Sequence, residues 1–142
     1  IRRPPISTLL PTTTLFRSNF HPILDSYSKG KIDSINIDMD LDIISVAIST
    51  NNSSDATEII FEDVKAFYYI DHDMPSDLRV SNENLNAISY DTDGFGEFSA
   101  VSSQADDEMF VSIPNFAVNV NDSSLFIDAH KIRINDQEFR VR

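Results

Sequence analysis

Asp38, Asp40 and Asp42 recur at i, i+2 and i+4 within Ile35-Asn36-Ile37-Asp38-Met39-Asp40-Leu41-Asp42-Ile43. On an extended chain this spacing places three carboxylates on one face, about 7 Å apart, with the apolar residues on the other. Like charges in a row repel one another, so a nearby cation would relieve them. Lys65, a terminal arginine or a basic partner protein could supply it. The third source makes Asp38, Asp40 and Asp42 a partner-binding face; without it they are an ordinary solvated face.

Two histidines invite a catalytic reading. In Asp71-His72-Asp73 the flanking carboxylates would raise the imidazole pKa toward neutrality, as general acid-base work or metal binding requires. Adjacent residues on an extended chain point apart, however, and no second His or Glu stands at ligand spacing. His130 lies two residues from Asp128, on one face of an expected strand, but a triad also needs a nucleophile and no nucleophile motif accompanies the pair. A calcium loop centred on Gly94 would start at Ser89 and close at Ala100, so its leading Asp and closing bidentate Glu are both missing. With no Cys, thiolate metal sites and cysteine nucleophiles are excluded; the three glycines, Gly30, Gly94 and Gly96, cannot form a phosphate-cradling loop. The expectation is a protein with no cofactor, no metal and no catalytic residues.

The charge is unevenly distributed. The 142 residues carry a net −12, yet residues 32–128 hold 20 acidic side chains against two cations, Lys65 and Arg79. Nucleic-acid affinity depends on Lys and Arg displacing condensed counterions, so this body is a poor match for phosphate backbones and anionic membranes. No run approaches the ~18 consecutive apolar residues of a membrane helix. The opening Ile1-Arg2-Arg3-Pro4-Pro5, basic and without Met, implies a chain cut from something longer; a cytoplasmic setting is favoured.

These residues must be positioned by strands. Residues 1–14, rich in Pro and Thr, read as an extended arm. Phe16, Phe20, Ile23, Leu24 and Tyr27 form a stripe at helical spacing, interrupted by Pro22, which predicts a short helix from about His21 to Ser28 that lids a core. From Ile32 the period becomes two, and the apolar phase flips at Ile43-Ile44, which requires a bulge or turn. Further strands are expected at Thr57 to Phe61, Val64 to Ile70, Leu85 to Thr92, Phe95 to Ser102, Met109 to Ile113, Phe116 to Val120, Leu125 to Ala129, Lys131 to Ile134 and Glu138 to Val141. Asp93-Gly94 is the strongest hairpin signal. The organisation is a basic arm plus helix over 1–30 and an acidic domain over 31–142. The latter is an all-β antiparallel sandwich or barrel of about 8–10 short strands.

The alternation from Ile35 to Ile48, the segment Ile59-Ile60-Phe61-Glu62-Asp63-Val64-Lys65-Ala66-Phe67 and the acidic balance resemble small acidic bacterial immunity proteins of polymorphic toxin systems, over about residues 32–72. The resemblance implies no catalysis and one tight, basic toxin partner. The sequence thus points to a non-catalytic binding module. Two alternatives stand beside it. One is an assembly subunit that clasps a second copy through its N-terminal arm; the other is a small metal-dependent hydrolase using His72 or His130.

Overall fold

A computed structural model describes residues 20–50, 56–71, 86–102 and 108–142. Nine strands account for most of them: β1 (Lys31–Asp38), β2 (Ile43–Ser49), β3 (Thr57–Asp71), β4 (Ile88–Tyr90), β5 (Phe98–Ser102), β6 (Glu108–Ser112), β7 (Phe116–Val120), β8 (Ser123–Ile134) and β9 (Gln137–Arg140). All pairings are antiparallel. Seven strands form one sheet in the order β1-β2-β3-β8-β7-β4, with β9 also on β8, and β5-β6 form a second, two-stranded sheet. The larger sheet does not close on itself, so of the two expected architectures the sandwich-like one holds and the barrel does not.

β8 is the central element. Its 12 residues pair along one edge with β3, while the other edge serves β7 at its start and β9 at its end. Ser124 to Ala129 are buried without a break, because both faces of the strand are covered. On the inner face, Leu125, Ile127 and Ala129 join Ile44, Val46, Ile59, Phe61 and Phe116 in the core, which the short helix over 20–25 seals with Phe20 and Leu24. On the opposite side Phe126 meets Phe95 and Phe98, and Phe98 stacks on Tyr68 with ring centroids 4.4 Å apart. This contact seats the two-stranded sheet on the larger one. The aromatic residues are therefore divided: Phe61 is fully buried, Tyr68 of β3 faces Phe98 of the second layer, and Tyr69 is exposed.

Asn115 fills the gap that β7 and β9 leave along β8. Its amide donates to the Ala129 carbonyl at 2.9 Å and accepts from the Ala129 N–H at 3.1 Å, so one buried side chain stands in for a rung of the ladder.

Several boundaries differ from the expectation. Thr57 to Phe61 and Val64 to Ile70 are one strand, as are Leu125 to Ala129 and Lys131 to Ile134. The junction between the first two carries the irregularity: Asp63 has φ 52° and the register with β8 shifts between Val64 and Ala66. Asp93-Gly94 forms a tight turn, with Gly94 at φ 90° and its N–H on the Asp91 carbonyl, but it joins no paired strands. β4 leaves it to pair with β7 and β5 to pair with β6, because Phe95 and Phe98 are drawn to Phe126 on the other layer.

Candidate functional site

The acidic trio occupies the tip of the β1–β2 hairpin. β1 ends at Asp38, Met39 to Asp42 form the turn, and β2 begins at Ile43. The three carboxylates therefore do not share one strand face, as their alternation suggested. Asp38 breaks the strand itself: its Oδ1 accepts the N–H groups of Asp40 (3.0 Å) and Leu41 (3.1 Å), offering the backbone a local turn in place of the ladder. Asp42 completes the reversal at φ 56°, a conformation Asp tolerates better than most residues. The turn also resolves the flip in apolar phase between Ile37 and Ile44.

This turn inverts the fate of the alternating apolar residues. Met39 and Leu41, expected on the apolar face of a strand, are 73% and 66% exposed, and Ile37 beside them is 37% exposed. The tip thus presents apolar side chains interleaved with carboxylates. It is anchored from below: the Val64 N–H, beside the β3 irregularity, donates to the Asp42 carbonyl at 3.0 Å. Beneath the tip lies a depression of ≈ 310 Å³ with Ile37, Val64 and Phe67 on its apolar side and Asp38, Asp42 and Lys65 among its polar lining.

Lys65 is the neighbouring cation the trio calls for, but its strongest partner is Asp63, at 2.7 Å. That contact holds the Asp63 carboxyl below the usual carboxylate range, and raises the Lys65 ammonium above its ordinary value with further help from the field of Asp42. The exposed tip keeps its negative character.

His130 and Asp128 do not act on one another. His130 Nδ1 lies 3.6 Å from Asp63 Oδ2, across the β3–β8 bulge. Asp128, 7% exposed, accepts from Ser112 Oγ at 2.8 Å and pairs with the Arg142 guanidinium. It ties the second layer to the sheet and the chain end to both. Among the described residues no nucleophile is placed against the His130–Asp63 pair, and no three His, Asp or Glu side chains converge as metal ligands. Near Gly94, Asp91 Oδ1 accepts the Asp93 N–H at 2.9 Å, closing the turn. His72 and the N-terminal arm lie outside the described residues. No helix among them is long and apolar enough to cross a membrane.

The exposed pair Met39 and Leu41 was missed in the sequence. Its one signal was Asp38, a turn former placed four residues before another tolerant residue, Asp42.

No curated protein and no solved structure matches the chain. A family model does, that of the YxiG-like protein, over residues 20–139, the span from the helix that seals the core to the last strand, and the chain belongs to the YxiG-like family.

Proposed function

We propose that this protein is a non-catalytic protein-binding module that meets a basic partner protein through the tip of the β1–β2 hairpin, in the manner of an immunity or inhibitor protein. One observation carries the reading: Met39 and Leu41 stand exposed between Asp38, Asp40 and Asp42 on a turn fixed by its own hydrogen bonds. Apolar anchors surrounded by a polar rim are the usual anatomy of a recognition site, in which the anchors supply affinity and the charges supply selectivity and speed of encounter. A turn held before binding loses little conformational entropy when the complex forms. The net −12 favours a cationic partner, and the resemblance to immunity proteins makes that partner a toxin.

The test takes a basic protein captured from the source cells at low salt and measures its association with purified chain. Binding must weaken both when Met39 and Leu41 become Ser and when the three Asp become Asn. A captured partner that ignores both changes overturns the proposal. So does loss of function on His72→Ala or His130→Ala at unchanged thermal stability, which is the outcome the hydrolase reading requires.

A further inference from the structure

β1 is the outer strand of the larger sheet: among the described residues it pairs with β2 alone, and it approaches β7 without pairing to it. An open cleft of ≈ 690 Å³ runs beside it, walled on the far side by Val118, Val120 and the turn at Asn121-Asp122 and floored by Phe67 and Leu125. Ile32, Asp33, Ser34 and Ile35 all line this cleft. Since successive strand residues point to opposite faces, four in a row can border one space only if that space follows the backbone edge as well as a face. The edge is regular where it matters, for the register with β2 is unbroken from Ser34↔Ala47 to Asp38↔Ile43 after a shift at Ile32/Ser34.

The chemistry of the lining identifies what fits. Among the described residues, Asp33, Asp71 and Asp122 border the cleft and no Lys, Arg or His lines it. We infer that the cleft receives an extended, cationic peptide segment of a partner protein, which adds a strand to the free edge of β1. Its backbone pairs with Ser34 to Asp38, alternate apolar side chains enter over Phe67 and Val120, and its Lys or Arg side chains reach Asp33 and Asp122 at the rim. Strand addition draws affinity from main-chain hydrogen bonds and selectivity from alternate side chains, which is what an edge unpaired among the described residues, beside an apolar, anionic trough, offers. The inference stands independently of the hairpin tip, although Ile37 borders both.

The probe is a blocked nonapeptide alternating Lys and Val, titrated into the full chain by calorimetry and by amide NMR. Saturable binding is expected, with slowed exchange confined to amides of β1. A peptide of the same sequence N-methylated at alternate residues should bind at least tenfold more weakly, and so should a Glu/Val peptide. The double change Asp33→Asn with Asp122→Asn, both exposed positions, should weaken the Lys/Val peptide about fivefold. Met39→Ser with Leu41→Ser should leave its affinity unchanged, which separates this site from the tip. Equal binding of the N-methylated peptide would overturn strand addition, and equal binding of Glu/Val would overturn the charge assignment. Absence of binding, or self-association of the chain that displaces the probe, overturns the inference outright.

Discussion

The Val64 N–H donates to the Asp42 carbonyl at 3.0 Å, joining the turn between β1 and β2 to the bulge in β3. Both ends of this link are unusual backbone: Asp42 sits at φ 56°, and Asp63, next to Val64, at φ 52°. The β2–β3 pairing ends at Ile44↔Phe61, and the turn supplies the carbonyl that takes the Val64 amide beyond it. Two local irregularities thus become one rigid feature, with the exposed tip above it.

The charge of the tip can be removed without moving it. Asn accepts the same turn hydrogen bonds as Asp and tolerates positive φ, so replacing Asp38, Asp40 and Asp42 together by Asn should leave the melting temperature nearly unchanged. Association with a basic partner should slow several-fold at low salt, with a smaller change in dissociation, and the difference should shrink as salt rises. Stopped-flow association at two ionic strengths checks this.

The apolar half of the tip should act on the other rate. Met39→Ser and Leu41→Ser remove side chains that touch solvent, so stability should hold within about 0.5 kcal/mol. Dissociation from the partner should accelerate by roughly tenfold or more, because truncated anchors are felt mainly in complex lifetime. Surface plasmon resonance reads both rates.

Asp63 predicts a pH signature whose sign follows from its contact with Lys65. Its folded pKa is lowered from 3.8, so its contribution to stability is present above that value and fades as pH falls through the folded one. The Lys65 pKa is raised from 10.5, so the same pair contributes below that value and fades as pH rises through the folded one. The melting difference between wild type and Asp63→Asn should be small and flat between these limits and should close at both extremes. Asp63→Val, which forces a β-branched residue to positive φ, should cost about 1–2 kcal/mol at every pH.

Asn115 offers the largest stability effect. Asn115→Ala leaves both backbone groups of Ala129 buried without their partners, at about 2–4 kcal/mol. For a chain of this size that lowers the melting temperature by about 5–15 °C, measurable by calorimetry.

What the sequence revealed and concealed follows a physical divide. Local signals were legible: Phe116 to Val120 is a strand with the expected limits, and the Asn121-Asp122 and Asn135-Asp136 turns stand where their residue types put them. Asn121, Asn135 and Asp136 all adopt the positive φ that Asn and Asp tolerate. Hidden were the consequences of pairing between distant segments. Asp93-Gly94 turns as its chemistry demands, but the layer its flanking strands join is decided by Phe126. His130 meets Asp63 and not Asp128 because a bulge some 65 residues upstream in β3 sets the neighbours. The acidic trio was expected on one strand and forms a turn, since Asp38 can serve a strand or cap a turn, and only the tertiary anchor at Val64 selects between them.

The central position of β8 also orders events in time. β3 is complete at Asp71, yet the partner for its second edge spans Ser123–Ile134, so an emerging chain must synthesise roughly 60 more residues before that edge is satisfied. At ribosomal rates of about 5–20 residues per second the aromatic run from Phe67 to Ile70 waits several seconds with an open edge. The dense carboxylates of residues 32–128 give neighbouring nascent chains like charge, which opposes edge-to-edge pairing until the last strands arrive.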